Sequence, residues 1–444
     1  MRRREKSSGV AVFAWSLYDF ANTIFAVSIL TVYFPLWISE LSGSEGIIVN
    51  AATAFSALLV LVSAPLLGTV ADLRQRRIPY LILLTVLSVS LTGAMGLVGL
   101  FGVGGSVGTL VFGVALFVAA DLTYQSALVF YNALLPGVAL GRGTGRVSGY
   151  GTALGYVGSI CALVVLGVIV ARGDGVRAWL AGVVPGISPA ASSSNAFIPT
   201  ALLFLVFSLP AFFLVPDSVP GDDPNRGSVR VSVRGAYRAV ISTLRGIRAY
   251  AGMGTFLVAT LLYTDAANTA VANVALYGRV VFGMDAAAVT TLLLLSTVFA
   301  IVGSFVFGFI SDRAGPKRAL IAVILTWLVS IILVSVAPTV AFLYAAGPFV
   351  GIALGATWTV SRPMLVALSP PEKLGEFFGI FTFAGKVSAV AGPATTALLL
   401  FALDDLGALA YRISIGSLAV IMVLALLLMV RVPDARPESQ TENR

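Results

Sequence analysis

Between Val10 and Trp37 the chain carries a single charged residue, Asp19. Comparably oily stretches recur near 48–71, 78–102, 107–136, 147–171, 196–215, 251–276, 286–311, 319–337, 340–368, 377–402 and 408–430. A bilayer crossing takes about 20 mostly apolar residues. In lipid the backbone must satisfy its own hydrogen bonds, within a helix or a closed barrel. These runs are continuously apolar, whereas barrel strands alternate over about ten residues. The expected fold is therefore an all-α polytopic membrane protein with twelve transmembrane helices. Only 11% of the 444 residues are charged, against about 25% in a soluble domain.

The opening MRRREK and the run behind it have the outline of a signal peptide. The run is too long, contains an acid and offers no clear cleavage site, so it is read as a retained first helix. Cys161 is the only cysteine and there is no histidine. A disulfide framework is excluded, as is the usual near-neutral proton switch.

Of the 28 Lys and Arg residues, 22 fall in segments on the same side as the N-terminus. The opposite loops hold four: Arg172, Arg177, Arg279 and Arg412. This asymmetry is the positive-inside pattern. It accounts for the net charge of +8 without a nucleic-acid partner. Both termini are expected on the cytoplasmic face of a cell membrane, expected to be prokaryotic.

The chain repeats itself. "LYDFANT" (17–23) returns as "LYTDAANT" (262–269), so Asp19 matches Asp265. Gly68-x-x-x-Asp72 with basic residues behind it returns as Gly308-x-x-x-Asp312 followed by Arg313. "ALLP" ending at Pro136 returns as "ALSP" ending at Pro370. Three echoes in one order imply two six-helix halves, 1–215 and 251–431. A cytoplasmic linker, 216–250, joins them, and a tail follows at 432–444. The linker's second part, "VRGAYRAVISTLRGIRAY", interleaves Arg234, Arg238, Arg245 and Arg248 with apolar residues. It is expected to form an amphipathic helix on the inner membrane surface.

Parallel six-plus-six repeats are the architecture of the major facilitator superfamily. "GFISDRAGPKR" (308–318) closely resembles that superfamily's loop motif. The first copy, "GTVADLRQRR" (68–77), departs with Leu73 for Arg and Gln75 for Gly, which bears on its hydrogen bonding but not on the fold. "YDFANT", "FYNALLP" (130–136), "RVSGYGTALGYVGS" (146–159), "YTDAANT" and "EFFGIFTFAGKVSAVAGP" (376–393) together resemble the vacuole-effluxer-like branch, relatives of the yeast autophagy-related permease. The resemblance covers nearly the whole chain. It implies a secondary transporter, with amino acids as the substrate class of the fungal member.

A charge at the bilayer centre costs about 2.5–3.5 kcal/mol on insertion scales. Asp19, Asp121, Asp265, Arg362 and Lys386 therefore need partners or water. In the superfamily fold, helices 1, 4, 7 and 10 line the central cavity, and four of these five residues lie on them. Asp19, Asn22 and Thr23 share a helix face, as do Asp265, Asn268, Thr269 and Asn273. Asp121 and Gln125 share another. Substrate or coupling-ion candidates are Asp19, Asn22, Asp121, Gln125, Asp265, Asn268, Arg362 and Lys386. Each has a bland alternative in a structural ion pair, a helix–helix hydrogen bond or, for Arg362, a reach to the interface. Lys386, too deep for easy snorkelling, is expected to pair with Asp19 or Asp265. Gly68, Asp72, Gly308, Asp312 and Arg313 are candidate conformational latches.

No zinc ligand set, Walker loop or other catalytic constellation is present, so neither enzyme activity, cofactor nor metal is expected. The expected function is secondary transport of a small polar solute, an amino acid or related zwitterion, by alternating access. A carboxylate kept partly protonated by burial would couple protons. Sugar or another organic solute is the alternative, which Trp15 and Trp358 keep open. So is a sensor or scaffold that has kept the fold. The expected partners are the bilayer and a small-molecule substrate, and the chain is expected to be a monomer.

Overall fold

The computed structural model describes residues 8–43, 46–103, 105–187, 192–217 and 233–434. Twelve long helices follow one another: α1 (Gly9–Ser42), α2 (Ile47–Arg74), α3 (Ile78–Phe101), α4 (Gly105–Ala133), α5 (Thr144–Val183), α6 (Phe197–Leu214), α7 (Met253–Phe282), α8 (Ala286–Ala314), α9 (Pro316–Ser335), α10 (Val340–Leu368), α11 (Leu374–Ala402) and α12 (Ala408–Arg431). By length and composition, ten of them qualify as membrane-crossing segments, all but α7 and α11. α7 is diluted by its own polar stripe, Asp265 to Asn273. Large apolar side chains such as Phe213 and Phe401 stand 79% and 84% exposed. An outer surface of that kind is stable against lipid, not water.

Two apolar clusters form the interior. One gathers residues from Val12 to Val215, the other Ala133 and residues from Met253 to Val432. Their packing is parallel: α1 lies on α5 and α6 as α7 lies on α11 and α12, and α3 lies on α4 as α9 lies on α10. Between the clusters, α2 packs on α11 and α5 on α8. Both contacts are backbone-close. A methyl group on Gly68 would collide with the carbonyl of Gly375, and one on Gly308 with that of Gly145. Small residues permit such approaches in membranes, where packing rather than hydrophobic burial drives association.

Several local features follow from particular residues. α1 widens to a π-helix over Ala26–Tyr33, just beyond its polar turn. Asp217, behind α6, accepts from the backbone N–H groups of Arg77 (2.6 Å) and Ile78 (2.8 Å) and so caps α3. α5 does not stop at residue 171 but runs to Val183. Its 40 residues make a rod of about 60 Å. Arg177, expected in a loop, lies in this overhang, where it is 3% exposed. It donates to the Gly99 carbonyl (2.6 Å), Ser194 Oγ (3.2 Å) and Asn195 Oδ1 (3.1 Å). Within the linker, Val233–Arg245 is helical. The first part of the linker, 218–232, and most of the tail, 435–444, lie outside the described residues.

Candidate functional site

Asp19 lies ten residues into α1, about 15 Å from its start, half the depth of a bilayer core. Arg362 of α10 reaches it from the other cluster. Its Nη1 donates to Asp19 Oδ2 at 2.8 Å and its Nη2 to Oδ1 at 3.3 Å. Forked arginine–carboxylate geometry of this sort is among the stronger charge-assisted contacts. Asn22 donates its amide to Asp19 Oδ1 (2.9 Å), and Tyr124 donates to Asn22 Oδ1 (3.5 Å). The guanidinium also lies over the rings of Trp15 (5.8 Å) and Tyr131 (5.7 Å), which stack on each other. A methyl on Gly151 of α5 would strike both Asp19 and Trp15. The pair is enclosed, with Asp19 only 4% exposed.

This arrangement corrects two expectations. Asp19 is paired with Arg362, not with Lys386. Arg362 turns inward along its helix rather than out to the interface. The guanidinium has an acid within reach and two aromatic faces to lie on, so it has no need to snorkel.

The other in-span charges are dispersed. Asp121 of α4 accepts from Ser56 Oγ of α2 (2.6 Å) and from Gln125 Nε2 one turn away (3.1 Å). Its partners are neutral. Asp265 of α7 is buried against the backbone of Gly392 of α11, whose amide is its polar contact, and among the described residues it has no side-chain partner. The neighbouring Thr269 Oγ1 has no hydrogen-bond partner among the described residues. Asn268 is half-buried. Lys386 is half-buried and makes no ion pair or hydrogen bond among the described residues. It stands 11 residues beyond Gly375, just over three helical turns. That is the face of α11 which meets α2 lower down.

The two Gly-x-x-x-Asp motifs do the same thing at the end of the bundle that carries the Arg-rich loops, here termed the basic end. Asp72 accepts from the backbone N–H groups of Gly375 (2.7 Å) and Glu376 (2.8 Å) at the start of α11. Asp312 accepts from those of Gly145 (2.7 Å) and Arg146 (3.1 Å) at the start of α5, and from Arg146 Nε (2.8 Å). A carboxylate on a helix N-terminus meets unpaired N–H groups and a favourable dipole. Each motif thus ties one cluster to a helix of the other. Arg313 is exposed and takes no part among the described contacts.

The divergent first copy keeps the bond that its departures bore upon. Gln75 takes up a left-handed conformation with φ of 50°, unlike any other non-glycine among the described residues. The second copy has Gly315 there, at φ of 90°. Arg77, buried beside Asp72 at 4.0 Å, is a further contact of the first copy.

Sequence reasoning missed Ser56 and the Trp15–Tyr131 stack. It also missed Lys373, which donates to Thr243 of the linker helix (2.7 Å) and lies over Tyr250. Partial burial works against the Lys373 charge, but Tyr250 and Glu376 outweigh it and hold the ammonium above the ordinary lysine range.

Comparison with known proteins agrees with this fold. The family model described as "Vacuole effluxer Atg22 like" matches residues 140–442. An uncharacterized MFS-type transporter of Bacillus subtilis, YxiO, is 23% identical over 429 residues, covering 95% of this chain and 94% of the relative. Autophagy-related protein 22 of Eremothecium gossypii is 24% identical over 448 residues, covering 87% and 85%. Among solved structures, the proton:xylose symporter XylE superposes with a TM-score of 0.70 at 16% identity, over 96% of this chain and 95% of that one. A bacterial homologue of the iron transporter ferroportin, in its outward-facing state, superposes with a TM-score of 0.68 at 12% identity, over 95% and 98%. At such identities the likeness to solved structures is one of fold.

Proposed function

The chain belongs to the vacuole effluxer Atg22-like family of major facilitator transporters, and we propose that it carries a small zwitterion, an amino acid or a close relative, by alternating access. It is a transporter and not an enzyme. The observation that carries the substrate class is which in-span charges are left over. Asp19 and Arg362 neutralise each other and Asp121 is held by Ser56 and Gln125. Asp265 and Lys386, like Asp121, have no counter-ion among the described residues, and unlike Asp121 they have no side-chain hydrogen bond among those residues either. A zwitterion brings an ammonium for the first and a carboxylate for the second and adds no net charge. Asn268, one turn along α7 from Asp265, offers a neutral donor and acceptor.

In this reading, residues 1–215 and 251–431 are the two bodies that rock about the midplane site. The basic end, assigned to the cytoplasm by its arginines, is closed by two ties, Asp72 to α11 and Asp312 to α5, and the Asp19–Arg362 pair joins the two bodies nearer the midplane. The cavity then opens to the opposite face. The sugar reading loses one support: Trp15 is fully buried, stacked on Tyr131, with its Nε1 bonded to the Tyr131 carbonyl at 3.2 Å.

The test is uptake by purified protein in liposomes, screened over amino acids, small peptides, sugars and organic acids, with and without an imposed proton gradient. Saturable uptake of a zwitterion, reduced by Asp265→Asn and by Lys386→Met, is expected. Uptake of a sugar alone, unaffected by either substitution, overturns the proposal.

A further inference from the structure

The linker helix, Val233–Arg245, has three distinct faces. Successive residues turn about 100°. Ala236, Val240 and Thr243 share one side and are buried at 1%, 6% and 2% exposure, where the helix packs on α2. Roughly a quarter turn round come Tyr237, Ile241 and Leu244, exposed at 36%, 46% and 46%. Beyond them, by a similar step, stand Arg234, Arg238 and Arg245, all exposed. The helix contains no acid. Its apolar strip therefore lies between its docked face and its cationic face, and the exposed Arg74 and Arg76 close by at the end of α2 enlarge the positive field.

A helix held at the end of a membrane-spanning bundle with this order of faces fits the boundary between lipid tails and water. The apolar strip turns sideways into the acyl region and the arginines meet phosphates. A cytosolic protein partner would leave the ordering of strip and stripe unexplained, whereas a leaflet supplies apolar and anionic surfaces in that sequence. We infer that the linker helix is a docking surface for anionic phospholipid headgroups of the leaflet at the basic end.

The docking site has a consequence for conformation. The helix rests on α2 of one cluster, and Thr243 takes its hydrogen bond from Lys373, which precedes α11 of the other. Asp72 joins α2 to α11 beside it. Lipid that steadies the helix on both therefore favours the state in which the basic end is closed. A ligand shifts such an equilibrium only through its differential affinity for the two states.

The experiment uses the full chain with Cys161→Ser, spin-labelled at Pro79→Cys and Ala314→Cys, one on each cluster at the basic end. It is placed in nanodiscs of phosphatidylcholine alone, or of phosphatidylcholine and phosphatidylglycerol in equal parts. Retained lipid is read by mass spectrometry and the label separation by pulsed electron resonance. Preferential retention of phosphatidylglycerol and a gain in the short-distance population are expected. Both should disappear in the variant with Arg234→Gln, Arg238→Gln and Arg245→Gln, while Arg318→Gln, exposed away from the linker helix, retains both. Equal retention of the two lipids overturns the inference, as does a triple variant that still prefers phosphatidylglycerol. So does an equal response to inorganic phosphate in phosphatidylcholine discs, which would make the patch a site for soluble anions. Selective retention without a change in distance keeps the docking surface and overturns the conformational consequence.

Discussion

Removing either end of the Asp19–Arg362 pair should destabilise the protein more than removing both. The side chains are 5% and 14% exposed, so solvent screens them little, and breaking a buried pair typically costs about 3–5 kcal/mol. The two single variants should differ within that range. Asp19→Asn leaves the guanidinium over Trp15 and Tyr131, and cation–π contact of this kind is worth about 0.5–2 kcal/mol. Its cost should fall near the lower end, about 3 kcal/mol. Arg362→Met leaves a buried carboxylate with neutral neighbours such as the Asn22 amide, and about 4–5 kcal/mol is expected. The double variant removes both charges and should cost about 1 kcal/mol, because replacing a whole buried pair is often close to neutral. The coupling energy is then about 6–7 kcal/mol, far beyond the additivity error of about 0.5 kcal/mol for independent sites. Unfolding in mixed detergent micelles, followed by tryptophan fluorescence with Trp15 beside the pair, gives all four corners of the cycle. Single-variant costs that add within about 0.5 kcal/mol would refute the reasoning, since the two charges would then be stabilised independently.

The motif carboxylates should act on the conformational equilibrium: Asp312→Ala shifts it toward an open basic end by about 1–3 kcal/mol, read as thiol accessibility from the cytoplasmic side. Gly68→Leu should separate α2 from α11, abolishing transport while the protein still expresses; normal transport would show that the close approach is dispensable. Gln75→Gly relieves a left-handed side-chain residue and should stabilise the fold by up to about 1–2 kcal/mol, seen as a higher unfolding midpoint with unchanged transport. Cysteines placed in the linker should react with impermeant thiol reagents only from the cytoplasmic side, and labelling from outside would overturn the twelve-span topology.

The fold was legible because its signals are local. Each long helix shows as an apolar run, and the two aspartate motifs show as short strings whose spacing survives in both copies. The overhang of α5 was not legible. Arg172, Asp174 and Arg177 break the apolar run, and the run alone does not report that the Gly99 carbonyl, Ser194 and Asn195 wait to receive Arg177. The site was legible in its membership and not in its pairing. Asp19 and Arg362 are 343 positions apart, and which cation meets which acid depends on the rotation of α10 against α1. Lys386, at a similar depth, was the expected partner from position alone. Arg362 has the aromatic faces that a guanidinium, unlike an ammonium, can cover broadly.

Main chain meets main chain at both closing contacts, Gly68 on Gly375 and Gly145 on Gly308. A surface that fits by backbone shape asks almost nothing of the side chains elsewhere on the same helices. The residues that meet a cargo are then free to vary without disturbing how the two bodies seat against each other. A lineage built this way can exchange one solute for another by altering a few cavity positions, while its moving joint is inherited unaltered.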